Sequence, residues 1–519
     1  MIALALAQAW TRTISRLEIL GASRKIVFDV REAFYAKLLS LDAAFYDRQR
    51  TGDLMSRGVN DLQLIQSFYG PGLLNALNTA IVYVGVLCVM LALDVPLTLV
   101  ALVWFPLLYL SVNRLSKRVY TRSLDVQEQL ARISDRTQEN LSGIQQVKIY
   151  AQEEQEIARF RELCDVFRRK QLGLARVRGA MVSLIGGFTG AGTLLVLFVG
   201  GLHVIRGRIS LGDFVAFNAY LAQLAWPTIA LGWIVNVFQR ASGAMRRLDD
   251  ILTATPTVAP PASDANVVAP IDGDLELRGL TFAYEGAADR PALKDVSLSI
   301  AKGSRVAIVG AVGSGKSTLA HLLAKLYPPP SGTMFAGGLD LADVPVECVR
   351  AGLAFVPQEA FLFSRSLRDN VAFGIPKGGD DAIGKAVREA RLDADLPALP
   401  DGLKTIVGER GFTLSGGQRQ RATLARALAT DPNILVLDDA LSSVDADTER
   451  AILDALASER RGRTLILITH RLSTLRAVDR IVVLEGGRVV EDGTHDALLA
   501  RDGVYARLFL RARMEERLA

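Results

Sequence analysis

At 519 residues the chain exceeds one ordinary domain, and half of it is hydrophobic with a mean hydropathy of +0.25, high for a wholly water-soluble protein. A net charge of +5 with no isolated Lys/Arg block fits basic loops beside a membrane and argues against nucleic acid as a partner. Cys88, Cys164 and Cys348 stand at no metal-ligand spacing, which argues against a disulfide framework or a zinc site.

The chain starts with an apolar run, Met1 to Trp10, that meets Thr11, Arg12, Thr13, Ser15 and Arg16 after about half a membrane crossing. No basic stretch precedes it and no small-residue cleavage site follows, so a signal peptide fits poorly. If Arg12, Arg16, Arg24 and Lys25 are cytoplasmic, the run descends from outside, and at least one span is expected upstream. A long polar helical stretch follows, over roughly 20 to 70.

Four apolar runs, Gly72 to Leu93, Pro96 to Val112, Ala180 to Ile205 and Phe214 to Phe238, each approach the length that crosses about 30 Å of hydrocarbon. Basic residues cluster after the second (Arg114, Lys117, Arg118, Arg122), before the third (Arg169, Lys170, Arg176, Arg178) and after the fourth (Arg240, Arg246, Arg247). Those ends are expected to face the cytoplasm, and the short connections near Asp94 and Arg206 to Asp213 the outside. A second polar helical stretch, roughly 115 to 178, joins the second and third runs and is expected to extend into the cytoplasm. Asn75, Asn78, Asn218, Gln223 and Asn236 face either the pathway or neighbouring helices, and the spans carry no charge cluster that demands an ionic cargo.

Pro256, Pro260, Pro261 and Pro270 punctuate a polar, alanine-rich linker from Thr253 to Asp272. Beyond it, short β-branched runs alternate with helical patterns, as in Val306 to Val309, Ile434 to Leu437 and Leu465 to Thr469, the pattern of an α/β domain with a largely parallel sheet. The expected architecture is an N-terminal all-α polytopic membrane domain (1–252, about five helices with the first incomplete), a linker (253–272) and an α/β domain (273–519).

Between the run ending at Val309 and a helical pattern starting near Leu319 lies Gly310-Ala311-Val312-Gly313-Ser314-Gly315-Lys316-Ser317-Thr318. Glycines let backbone N–H groups close around phosphates, Lys316 reaches the outer phosphates, and the Ser317 hydroxyl ligates Mg²⁺. The helix that opens there adds the positive end of its dipole. The run Ile434 to Leu437 ends in Asp438-Asp439, as a buried strand does when it delivers a carboxylate, here Asp438, to the Mg²⁺ side of a phosphate site. Ser415-Gly416-Gly417-Gln418 opens a further helix; alone it reads as an N-cap or as a second anion site.

Leu414 to Gln418, followed by Arg-Gln-Arg-Ala-Thr-Leu-Ala-Arg-Ala-Leu, resembles the signature of the ATP-binding-cassette (ABC) family. The resemblance implies that Tyr284 stacks on adenine, that Gln358 is the Q-loop glutamine with a catalytic and a Mg²⁺-binding role, and that His470 is the switch histidine. It further implies that Glu409-Arg410-Gly411 meets the membrane domain's intracellular helices and that Asp445 belongs to the D-loop. The membrane half is similar to exporters of the family, with Phe45 to Leu54 resembling a first cytoplasmic coupling element and Gly143 to Glu154 a second. Against the six-helix pattern of those exporters, the first helix and most of the second's outer end are expected to be absent.

In most hydrolytic members the residue after the second Walker acid is Glu, which polarises the attacking water; here it is Asp439. The shorter side chain retracts the carboxylate by about 1 Å, a misplacement that costs about a hundredfold in rate. Hydrolysis at this site is expected to be slow. Because family dimers sandwich ATP between one chain's phosphate loop and the other's signature, the expected assembly is a heterodimer with a half-transporter whose base is Glu, a homodimer being the alternative. The implied function is ATP-driven export of lipid, drug or other amphipathic substrates, with ATP and Mg²⁺ as cofactors, a plasma (inner) membrane location and a cytoplasmic cassette. A weakly hydrolytic regulatory half and a truncated, inactive subunit are the alternatives.

Overall fold

The computed structural model describes residues 2–258, 269–287, 289–375, 379–408, 411, 414–459, 462–469 and 471–518. They form two compact units, Met1–Arg31 with Val59–Leu248, and Glu32–Gly58 with Asp249–Ala519.

The helices run in the order α1 (Ile2–Ser40), α2 (Ala43–Arg48), α3 (Thr51–Ser56), α4 (Leu62–Ser67), α5 (Leu73–Leu93), α6 (Val95–Ser142), α7 (Ile144–Ile149), α8 (Glu153–Ile205) and α9 (Leu211–Leu252). The four apolar runs of the sequence lie in α5, α6, α8 and α9, apart from Gly72, which ends a π turn. Among the described residues, the stretches Thr51–Leu93 and Glu153–Ile205 are long and apolar enough to cross a membrane. In the first unit a core of Val86, Met90, Leu97, Ala101, Val196, Phe217 and Leu224 draws on all four of those helices.

Polar side chains fix the turns of this unit. Asp94 caps α6 by accepting from the Leu97 N–H at 2.7 Å, and its other oxygen lies 3.0 Å from His203 Nδ1 at the far end of α8. Asp61, buried, accepts from Nε of Arg247 at 2.9 Å. Two π-helical turns, Arg57–Asp61 and Phe68–Gly72, interrupt the α3-to-α5 run, the second containing Pro71, which cannot donate to a helical ladder. Ser23 Oγ donates to the Gln66 carbonyl at 3.0 Å beside that turn.

In the second unit an antiparallel sheet holds β1 (Leu275–Phe282), β2 (Leu293–Ile300), β4 (Met334–Ala336) and β5 (Leu339–Asp340), in the order β2-β1-β4-β5. The larger sheet holds β3 (Arg305–Val309), β6 (Leu353–Val356), β7 (Ile434–Asp438), β8 (Thr464–Ile468), β9 (Arg480–Glu485) and β10 (Arg488–Gly493), in the order β10-β9-β3-β8-β7-β6. All neighbours in it are parallel except β10, which returns antiparallel to β9. Its central strands are buried along their whole length, as continuous apolar runs covered on both faces require.

Helices α10 (Lys316–Leu323), α11 (Val346–Gly352), α12 (Leu367–Val371), α13 (Asp380–Glu389), α14 (Gly416–Ala429), α15 (Ala446–Glu459), α16 (Leu472–Arg476), α17 (His495–Ala500) and α18 (Val504–Leu518) complete it. One core joins the antiparallel sheet, α10 and the near face of the parallel sheet; a second gathers α12, α13 and α14 against β6 and β7. The short helix α2 belongs to this unit, with Ala43 and Ala44 packed on the first of those cores.

Candidate functional site

Strand register decides which side chains meet. Ile308 of β3 pairs with Ile468 of β8, which pairs with Asp438 of β7, while Val356 of β6 pairs with Leu437. Since these strands are parallel, their carboxyl ends form one edge, which presents in order the loop from Gly310, Thr469, Asp438-Asp439 and Gln358. Open parallel sheets hold ligands at that edge. His470, next after Thr469, lies outside the described residues, as do Glu409 and Arg410.

The loop from Gly310 to Gly315 turns β3 into α10 under tight steric limits. A Cβ on Gly310 would stand 2.1 Å from the Leu484 carbonyl, and one on Gly315 would stand 2.6 Å from the Ala292 carbonyl. Gly315 also has φ +100°, a left-handed conformation that glycine adopts without penalty. Helix α10 starts there without a side-chain cap, so its first N–H groups suit an anion. Gly313 stands at φ +80°, and Val312 beside it is almost wholly exposed.

Lys316 is buried, and its ammonium donates to the carbonyls of Gly310 and Ala311, each at 2.8 Å, and to Ser314 Oγ at 3.4 Å. Burial pushes its pKa below the usual lysine value, while the charges of Asp439 and Asp438 push back. Both carboxylates of the β7 end therefore act on the charge of Lys316. Ser317 is half-buried on the first turn of α10, and Thr318 is buried and accepts from the Tyr284 hydroxyl at 3.1 Å. Burial raises the Tyr284 phenol pKa.

Asp438 is the buried last residue of β7. Asp439 takes φ +45°, and its N–H donates to the Ile468 carbonyl at 2.9 Å, so its backbone is tied to the neighbouring strand. Gln358 is exposed in the loop after β6. Asp445 caps the start of α15 by accepting from the Thr448 N–H at 2.9 Å, the largest of the bonds that hold its pKa below the usual carboxylate range.

Ser415 to Gln418 form a complete capping box. Ser415 Oγ accepts from the Gln418 N–H at 3.2 Å, and Gln418 Oε1 accepts from the Ser415 N–H at 2.9 Å. A Cβ on Gly417 would stand 3.0 Å from the Ser443 carbonyl, so the helix start lies against the segment that follows Asp439.

Several supporting residues escaped the sequence reading. Gln420, buried in α14, donates to Ser442 Oγ at 2.9 Å and accepts from the Ser443 N–H at 2.7 Å. Asp395 accepts from Nε of Arg421 at 2.8 Å and receives the Gln418 amide at 3.4 Å. Arg471 donates to the Val444 carbonyl at 2.6 Å and to the buried Glu449 carboxylate at 2.7 Å. The available signal was a polar residue on an otherwise apolar helix face, at Gln420 and Glu449.

A parallel sheet whose carboxyl edge joins a glycine-bounded lysine loop to two aspartates defines a P-loop nucleotide-binding ATPase domain, here in one chain with long apolar helices. Residues 1–228 match the family model described as ABC transporter transmembrane region, and residues 293–442 the one described as ABC transporter. The probable multidrug resistance ABC transporter ATP-binding/permease protein YheI of Bacillus subtilis is 34% identical over 498 residues, which cover 96% of this chain and 85% of that one. The multidrug resistance-like ATP-binding protein MdlA of Escherichia coli is 33% identical, covering 100% and 87%. An ATP-dependent lipid A-core flippase of Chromobacterium violaceum is 33% identical, covering 93% and 82%. A solved bacterial Atm1-family ABC exporter with ATP bound superposes with a TM-score of 0.81 at 28% identity, covering 98% of this chain and 91% of that chain.

The chain belongs to the ABC transporter family. It is an ATP-driven exporter chain, a helical transmembrane region followed by an ATP-binding, ATP-hydrolysing cassette.

Proposed function

We propose that the chain is one half of an exporter that moves lipids, drugs or other amphipathic molecules across the plasma (inner) membrane, with its cassette in the cytoplasm. In this reading 1–252 is the membrane domain, 253–272 the linker and 273–519 the cassette. The names of its relatives, which include multidrug resistance proteins and a lipid A-core flippase, support that substrate class. So does the lack of a charge cluster in the spans.

The observation that carries the site assignment is the shared strand edge that brings Gly310, Asp438-Asp439 and Gln358 together. Gly310, Gly313, Ser314, Gly315, Lys316, Ser317 and Thr318 cradle the phosphates of ATP, and Tyr284 stacks on adenine. Ser317, Asp438 and Gln358 offer hard oxygen donors suited to Mg²⁺, which supplies charge neutralisation on the phosphates. Lys316 supports this fit, since its ammonium now rests on the loop's own carbonyls, which a phosphate would replace as partner. Asp439 is the base that orients water, with His470 as switch and Gln358 as sensor.

Asp439 should act slowly. Its carboxylate is one methylene short of Glu, and its tethered, left-handed backbone leaves little freedom to advance and close the gap. The signature, Ser415 to Gln418, is unaltered, so we take the partner to be a different half-transporter whose Glu-bearing site this signature completes. Vanadate trapping with a photoreactive ATP on the purified complex tests the assignment. Nucleotide trapped on both chains, with less on this one, is expected; ATP retained here and never converted to trapped diphosphate would reduce this chain to a clamp.

A further inference from the structure

Beside the phosphate loop, four aromatic or hydroxyl side chains connect α2 to α10. Tyr284 is fixed on three sides: its hydroxyl donates to Thr318 at 3.1 Å, and its ring meets Phe282 and Tyr327 edge-on, at centroid distances of 5.2 and 5.1 Å. Tyr327 is buried, and its hydroxyl donates to the Asp47 carboxylate on α2. One residue on, Arg48 of α2 lies 2.9 Å from Glu285, the chain neighbour of Tyr284. Ala43 and Ala44 of the same helix pack on the core that includes Phe282, Tyr284 and Tyr327. At its start, Asp42 accepts from Phe45 N–H at 3.2 Å, from Thr257 N–H at 2.5 Å and from Val258 N–H at 3.1 Å.

These contacts differ in weight. Arg48 and Glu285 are both more than half exposed, and such pairs contribute little. The Tyr327–Asp47 bond is the strong link, because a phenol on a buried ring meets a carboxylate, and charge-assisted bonds are about twice as strong as neutral ones. Its loss frees the Tyr327 ring, a wall of the Tyr284 recess that is tied to α2 through Asp47.

We propose that Tyr327, held by Asp47 of α2, is a positioning residue that sets the orientation of Tyr284 and so makes ATP affinity depend on where α2 stands. Displacement of α2 loosens the Tyr284 ring, and by linkage nucleotide binding favours the docked position of α2. This rests on the reading of Tyr284 as the adenine platform.

The test uses the full chain with its partner in lipid vesicles, the partner's phosphate-loop lysine disabled so that hydrolysis reports this chain's site, reading ATPase KM and kcat and the inhibition constant of inorganic triphosphate, which has no base. Tyr327→Phe keeps the ring and removes only the bond; it should raise KM for ATP about three- to tenfold, the range expected for one lost hydrogen bond, with a smaller change in kcat. Triphosphate inhibition should not change. Asp47→Ala should match it, Asp47→Asn, which can still accept, should restore KM, and the Tyr327→Phe/Asp47→Ala pair should be no worse than either alone. An unchanged KM in Tyr327→Phe, or equal weakening of triphosphate, overturns the proposal. Tyr284→Ala separates the two layers: if it raises KM while Tyr327→Phe does not, only the positioning role fails, whereas if Tyr284→Ala leaves KM unchanged, the platform reading fails and takes the proposal with it.

Discussion

Two helices of the cassette start at glycine-bearing turns, and they use their first backbone donors in opposite ways. Helix α10 starts at the left-handed Gly315 with no side-chain cap, whereas α14 starts at Ser415 with both arms of a capping box closed. The first leaves its dipole and N–H groups to an incoming anion. The second has already satisfied two donors from its own side chains, so in the single chain it is a finished helix end. The contrast explains why one turn is legible as a phosphate site by itself while the other acquires that meaning only from a nucleotide held elsewhere. It also places the cationic charge on one side, with Lys316 buried in the first turn and Ser415 exposed in the second.

Removing what is special to the α10 end should have the largest effect. Lys316→Ala is expected to lower ATP hydrolysis at this chain's own site by about a hundredfold or more, the scale for losing one preorganised charge partner of the transition state, as read by single-turnover hydrolysis with the partner's phosphate-loop lysine disabled. A loss below tenfold would mean that the loop does not hold the reacting phosphates.

The α14 end should respond more mildly and in stability. Ser415→Ala opens the capping box and should cost about 1 kcal/mol, measured by denaturant unfolding, while ATP binding at this chain's own loop persists. Equal loss of ATP binding would erase the distinction between the two helix starts.

The smallest effect concerns His321 on α10, whose Nδ1 is buried with no partner among the described residues and whose ring meets Phe355 edge-on at 5.6 Å. Burial holds its pKa below the usual histidine value, against weaker opposing pulls from Asp438 and Asp47. The unfolded chain then takes up the proton first, so the stability this group contributes is complete above about pH 6.5 and falls as pH drops towards the depressed folded value. His321→Phe should flatten that acid-side decline in melting temperature; an unchanged slope would place the titration elsewhere.

Much of the site was legible because its chemistry is local. Gly310 to Thr318 carries turn, charge and helix start in nine consecutive residues, and the strand ending at Asp438 announces itself by an unbroken apolar run. The parallel sheet at the core likewise followed from β-branched runs alternating with helices. What stayed hidden depends on distant pairing: Tyr327 meets Asp47 from 280 residues away, and Gln420 reaches Ser442 and Ser443 only once α14 packs beside the β7 end. The two π turns were also invisible, since the apolar pattern runs through them and only Pro71 marks one. The assignment of α2 to the cassette's compact unit is another fact of packing, carried by Ala43 and Ala44, which read in sequence as unremarkable small residues.

The central claim is that Asp439, tethered through its N–H to Ile468, makes this chain's own ATP site slow. Single-turnover hydrolysis at this site, with the partner's phosphate-loop lysine disabled, compares wild type with Asp439→Glu most directly. The account predicts that the substitution accelerates the chemical step by about ten- to a hundredfold, as the missing methylene is restored. Fast wild-type turnover that Asp439→Glu leaves unchanged would contradict it.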